Sequence, residues 1–500
     1  MINKIKKNYI NIIVTLLPIV MIFVGYKIFK DYGISIDENI TRYNGLVSTK
    51  YIINFLSLEK YYNLDLFKDV VQLKDWSDKQ YGTIFEIFQV FFIEIFLNIR
   101  EYSQIYYSRH LVNHYLFLLS IFCFYFLCLN IFHNKFQSLL GSLILYSSPR
   151  IFAESFYNGK DLAFLSIFIF VIYFAVKSIK KADLYNSLLF SLFAALAINI
   201  RIIAIYIPFL VILFNIFQSF MNKEINMKRF LIIISPAVFI LFFLYLSWPF
   251  LWEDPINNFI YSFKSFSRYL AMDGYAFYLG EYHRIANLPW HYLLIYFFAT
   301  TPILVTILIF SGVIHISLRF IKRILKIDDS KINNDIWRSK NEKVFLFLLF
   351  TILVPIFSIY IFNSIVYNGW RHIYFLYPSL ILISIYFFKI LSIRLRKIKF
   401  SNYLNIVLVI VILNNFYSLA KYHPFQYVYF NSIFEKHANK LFEIDYWGVS
   451  NKHALKTLIE KNPDKNNFTI GVASLADLWQ SQSMLPKRLA KKLIITGQNF

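Results

Sequence analysis

Apolar runs close to the length of a membrane-crossing helix recur along most of this chain, and most Lys and Arg gather in the short loops between them. About 20 apolar residues carry a helix across a bilayer. At 58% hydrophobic and only 16% charged residues, the chain departs from soluble domains toward the membrane class. An all-α polytopic membrane protein is the expected architecture. In a soluble protein the formal charge of +22 would suggest nucleic acid; here it sits in inter-span loops and reads as topology, so no nucleic-acid partner is expected. Cys123 and Cys128 share one apolar run and read as packing residues, with no metal or disulfide spacing.

The segment "INIIVTLLPIVMIFVGYKIF" follows the basic "MINKIKKNY". It is too long for a signal-peptide core and lacks a small-residue cleavage site, so it reads as an uncleaved anchor with a cytoplasmic N-terminus. Further spans are expected near 111–132, 137–149, 162–176, 186–199, 202–220, 230–249, 291–316, 344–362, 373–390 and 403–419, about eleven in all. Threaded this way, the inner loops hold about two dozen Lys and Arg against about four in the short outer loops, as the positive-inside bias requires.

Residues 81–99, "YGTIFEIFQVFFIEIFLNI", pass for a span by hydropathy alone. Glu86, Gln89 or Val90, Glu94 and Asn98 recur about every four residues, however, and this polar stripe predicts a helix in the outer interface with Glu86 and Glu94 on its wet face. A transmembrane domain is expected over 1–420, with outer loops at about 31–110, 150–161, 250–290 and 363–372, followed by an outer-face region over 421–500. That region carries a helix-like "KHALKTLIEKN" and strand-like "FTIGVAS" and "KLIITG", a small and possibly incomplete α/β unit.

Sorted by side of the membrane, the polar residues collect outside. Asp37 and Glu38 stand in the first outer loop; Arg150, Glu154, Asn158, Lys160 and Asp161 in the second. Arg109 and His110 open the second span, Arg201 separates two apolar runs, and Arg371 and His372 mark another outer end. Together they predict one outer-facing cleft. A carboxylate there can serve as general base for a hydroxyl or amine acceptor, and Arg and Lys can clamp a phosphate leaving group. Singly, each has a plainer reading: a solvated loop for Asp37–Glu38, snorkelling or helix capping for the arginines, interfacial packing for the histidines.

An acidic pair after one anchor, then an interfacial helix, then "YYSRHLVN" resembles the GT-C membrane glycosyltransferases, in particular the protein O-mannosyltransferase and lipid A aminoarabinose transferase superfamily. The phrases "SPRIFAESFYNGKD", "LPWHYLL…ATTP" and "YNGWRHIYFLYP" extend the resemblance over most of 10–430. It implies an inverting transfer of sugar from a polyprenyl-phosphate donor to a lipid, glycan or protein acceptor at the outer face of a bacterial inner membrane. Asp37 matches the first-loop Asp that acts as base or positions the acceptor, with Glu38 beside it, and Asp161 matches the acidic residue of the second loop. The donor phosphate would fall to Arg109, Lys160, Arg201 and Arg371, with His110, Arg150, Glu154 and His372 completing the substrate site. No sugar-binding β-trefoil follows, which counts against a protein acceptor.

Other classes predict different patterns. A transporter or lipid flippase tends to place ionisable groups at mid-membrane, whereas these spans are nearly charge-free at their centres. A lipid-linked polysaccharide ligase or polymerase would share a basic cleft without needing Asp37. Two adjacent acids are too few to define a divalent-cation site, so no cofactor is assigned.

Overall fold

The computed structural model describes residues 2–58, 64–224, 226–267, 274–325, 337, 340–395, 401–472 and 476–497. Among them, nine helices are long and apolar enough to cross a membrane. The chain is a multi-pass membrane protein.

The anchor is α1 (Ile2–Ile28), followed by α2 (Glu38–Phe55) and the short α3 (Ile84–Gln89). Next come α4 (Tyr102–Phe132), α5 (Lys135–Tyr146), α6 (Pro149–Tyr157), α7 (Asp161–Lys180) and α8 (Leu184–Ile200). After these run α9 (Tyr206–Met221), α10 (Met227–Ser247), α11 (Pro255–Ser267), α12 (Tyr292–Thr300), α13 (Ile303–Leu325), α14 (Lys340–Ile361), α15 (Tyr377–Leu395) and α16 (Ser401–Lys421). Two further helices of the bundle are shorter: α8 is apolar over 17 residues and α5 spans 12, so fewer helices are long enough to cross than the eleven spans expected. At one end of α5, Lys135 Nζ reaches Asn11 Oδ1 on α1 at 2.6 Å; just past the other, Ser148 Oγ and the Tyr377 hydroxyl at the head of α15 lie 2.9 Å apart.

Local chemistry sets the ends. Asn134, Asp183 and Asn226 cap α5, α8 and α10 by accepting from the backbone N–H three residues on. The break at Ser147–Ser148–Pro149 stops α5 short of the expected 149, with Pro149 starting α6, where its missing N–H costs nothing. The expected 291–316 span is two helices, because Pro302 breaks the run and only α13 is long enough to cross.

The 81–99 segment contains α3 continued by a wider π turn over Val90–Phe96. At thirteen residues these two pieces reach about 20 Å, too short to cross. Its polarity is the reverse of expectation. Glu86, Gln89 and Glu94 are buried, while Phe88, Phe92 and Phe96 are exposed and stack at 5.8 and 6.1 Å. Two members of the stripe find partners inside: Arg42 donates to both Glu94 oxygens at 2.9 and 2.6 Å, and Gln89 Nε2 donates to Asn113 Oδ1 at 2.7 Å.

One continuous core joins α4, α5, α7, α8, α9 and α15. Tyr427, Phe430, Phe442 and Trp447 belong to it, so side chains up to Val449 share this core. A separate small cluster of Leu455, Ile459, Phe468, Leu485 and Leu493 holds the rest. There the helix Asn451–Glu460 packs beside parallel strands Phe468–Gly471 and Leu493–Thr496, in register Phe468 to Leu493, where helix-like and strand-like patterns are read from the sequence. The last two residues of "FTIGVAS", 473 and 474, lie outside the described residues. An antiparallel hairpin, Tyr275–Tyr278 with Glu281–Arg284, stands within the 250–290 loop without any sequence expectation.

Candidate active site

Asp37, Asp161, Arg201 and Arg371 meet at one face of the bundle because α2, α7, α8 and α15 all begin or end there. Asp37 occupies the N-cap position of α2, yet its carboxylate makes no capping bond and is half exposed. Arg371 Nη1 lies 3.3 Å from Asp37 Oδ2 and 3.4 Å from Asp161 Oδ2, and Arg201 Nη2 pairs with the other oxygen of Asp161. Asp161 is buried, and its two charge partners with the amide of Asn158 (3.1 Å) offset the cost of removing it from water.

Arg371 is held sterically as well as by charge. Its guanidinium stacks 4.8 Å from the ring centres of both Tyr367 and Trp447. The turn that delivers it uses left-handed backbone at Asn368 and Gly369 (φ 56° and 74°). A Cβ on Gly369 would also press to 3.3 Å of the Tyr296 ring, so glycine fits on both counts.

These groups open into a cavity of about 550 Å³. Asp37, Asp78, Lys160, Arg201, Arg371 and His372 supply its polar wall; Ile202, Ile203, Tyr206, Val354, Pro355, Ile359 and Phe362 supply an apolar one. Phe362 and Ile205, also on the cavity wall, are 69% and 40% exposed, so the apolar part of the cavity opens at the surface of the bundle. Lys160 Nζ rests 3.6 Å above the Tyr81 ring. Burial, assisted by the nearby Arg201 charge, pushes the Lys160 ammonium down to about 8. Burial likewise raises the Asp78 carboxyl above its ordinary value, against the pull of Lys160. Chemically the cavity suits an amphiphile with an anionic head, and Asp37 presents a half-exposed carboxylate to it.

The single cleft expected from sequence is layered. Asp37, Lys160, Arg201, Arg371 and His372 line the cavity, with Asp161 tied between the two arginines. Glu38 is buried and points elsewhere, accepting from Ser35 N at 2.7 Å and pairing with His110 Nε2 at 2.9 Å. Arg109 is buried behind Thr41, its Nη2 3.5 Å from the Thr41 hydroxyl. On the far side, Arg150 donates to the Tyr429 carbonyl at 3.1 Å and stacks on Phe430. Glu154 accepts from the hydroxyls of Tyr374 (2.8 Å) and Tyr446 (3.3 Å) and from Asn158 (2.8 Å), and burial raises its carboxyl above the usual range. Asn158 thus ties Glu154 to Asp161 and stands behind the charged pair.

Sequence reasoning missed Asp78, Tyr81, Tyr367 and Trp447. Only Asp78 carried a signal, as an acid in the first outer loop. Among the described residues, no group of three or more His, Cys, Asp or Glu is placed to hold a metal ion.

No protein-family model and no curated protein matches the chain. Among solved structures it is similar to ArnT from Cupriavidus metallidurans. Against the form bound to undecaprenyl phosphate, the TM-score is 0.48 at 11% identity, covering 97% of this chain and 86% of that one. Against the apo form it is 0.49 at 11% identity, covering 99% and 86%. The likeness is one of shape, and the reading of the site rests on its own residues.

Proposed function

We propose that the protein is a glycosyltransferase that moves a sugar from a polyprenyl-phosphate donor to an envelope acceptor at the outer face of the inner membrane. The observation that carries this reading is the joining of a cationic wall to an apolar wall open at the bundle surface in one cavity, with a half-exposed carboxylate, Asp37, between. A polyprenyl tail lies along the apolar wall while Lys160, Arg201 and Arg371 face the phosphate. An acceptor hydroxyl or amine attacks the anomeric carbon from the side opposite the phosphate, and the sugar–phosphate C–O bond breaks with inversion. The acceptor proton passes to Asp37, and the bond electrons leave with polyprenyl phosphate, whose charge the cations stabilise. Mass analysis of glycolipids and envelope glycans in a deletion strain tests this: one sugar modification disappears and its lipid-linked donor accumulates. Unchanged glycans and donor pools would contradict the assignment.

Lys160 gives the site a pH dependence. Its charge is present below pH 8 and lost above it, because its folded-state value is lowered to about 8. Donor KM therefore rises as pH passes upward through about 8, and less so in Lys160→Arg, whose charge persists. Bound phosphate favours the charged amine, so kcat falls later than affinity. A donor KM with the same pH profile in wild type and Lys160→Arg would remove Lys160 from phosphate binding.

The proposed orientation puts residues 31–110 and the C-terminal region outside, on the strength of the Lys/Arg bias. Ser77 and Asn466 are exposed, so single cysteines there are expected to react with an impermeant thiol reagent in intact spheroplasts. Protection of either breaks this orientation.

A further inference from the structure

A second cavity, of about 510 Å³, opens beside the first on the same face. The two share walls: α2 contributes Asn44 to the first and Tyr51 to the second, while the 73–82 segment contributes Asp78 to the first and Lys79 to the second. Trp248 lines the first and Phe250 the second. Tyr51 lies fourteen residues along from Asp37, about 21 Å at the helical rise. The second cavity combines two kinds of wall. Tyr51, Phe250 and Tyr261 present rings, with Phe250 and Tyr261 6.2 Å apart edge to face. Glu253, Asn257 and Lys74 present exposed polar groups. The Tyr51 hydroxyl donates to one Glu253 oxygen at 3.2 Å, and Asn257 Nδ2 donates to Asp254 at 2.8 Å, which holds both planar side chains in place at the rim.

Rings flanked by fixed amide and carboxylate groups match a pyranose, which offers an apolar C–H face for stacking and a rim of hydroxyls that both donate and accept. The alternatives fit less well. A lipid tail would be expected to meet a continuous apolar surface, and a phosphate to meet converging cations, whereas Lys79 Nζ is turned to the Lys74 carbonyl. We infer that this cavity is an acceptor subsite that binds a saccharide unit remote from the one being modified. The acceptor is therefore an extended glycan, free or lipid-borne, that lies along α2 with its reactive end at Asp37. This rests on the glycosyl-transfer reading and adds the acceptor class to it.

The test uses the full-length purified protein with polyprenyl-phosphate sugar as donor. Acceptors are the glycolipid fraction and the de-acylated saccharide fraction of envelopes from a deletion strain, each intact and trimmed to its terminal unit. Removing a stacking ring and a hydrogen-bonding amide together, Tyr51→Ala combined with Asn257→Ala is expected to raise KM for the intact acceptor about tenfold or more. KM for the trimmed acceptor and donor KM are expected to stay at wild-type values, and Asn257→Ala alone, whose side chain is exposed, to keep the wild-type melting temperature. Activity with the de-acylated fraction identifies a free glycan, and activity with the glycolipid alone a lipid-borne one; either supports the subsite. Equal effects on intact and trimmed acceptors, no effect on either, or an acceptor without saccharide overturns the inference while leaving glycosyl transfer standing. A wild-type protein that turns over no donor with either fraction overturns both.

Discussion

Asp37→Asn is expected to lower turnover by about a hundred- to ten-thousand-fold, the usual contribution of a positioned general base. The amide keeps the size of the carboxylate and removes its capacity to take the acceptor proton. Asp37 is half exposed and one partner among several of Arg371, so the change should leave the protein folded and the donor bound. Glu38→Gln should behave differently. Glu38 is buried and ties the Ser35 N–H to His110, so its loss is expected to register in thermal stability before it registers in turnover. Measuring kcat, donor binding and melting temperature together separates the two. A Glu38→Gln protein with wild-type stability and collapsed turnover would exchange their roles.

Arg371→Leu is the second large effect, and it falls on folding as well as on chemistry. Removing one partner of a buried ion pair costs about 3–5 kcal/mol because the other charge stays behind. Asp161 keeps Arg201 and Asn158, which places the expected loss at about 3 kcal/mol, toward the lower end of that range. Arg371→Lys should be milder in stability but not silent in turnover. An ammonium has no planar face to lie between Tyr367 and Trp447, and it presents a point charge where the guanidinium presents a fork. Thermal unfolding and donor KM of both variants test this. Wild-type values in Arg371→Leu would return the residue to a snorkelling role.

Sorting ionisable residues by side of the membrane made part of the site legible: Asp37, the adjacent Lys160 and Asp161, Arg201 and Arg371 come from four separate stretches of chain yet converge. The positive-inside bias supplied that sorting without any knowledge of packing. Three features were not legible. A helical stripe reveals which residues share a face but not whether the face looks inward, and the inversion of Glu86 and Glu94 depends on partners such as Arg42, far away in sequence. Glu38 and Asp37 are neighbours whose side chains part because the first turn of α2 sends them in different directions. Trp447 and Tyr446 join the site from beyond the last span, where aromatic abundance throughout the chain hid them. Composition made aromatics cheap signals here: at 20% of residues, a single tryptophan or tyrosine distinguishes nothing.

The most direct measurement follows polyprenyl phosphate released by purified protein in lipid nanodiscs supplied with a polyprenyl-phosphate sugar and an envelope acceptor fraction. Glycosyl transfer predicts stoichiometric release with sugar on the acceptor in wild type, and a loss of about a hundredfold or more in Asp37→Asn. Sugar lipid that crosses the bilayer intact, without cleavage and without dependence on Asp37, would contradict it.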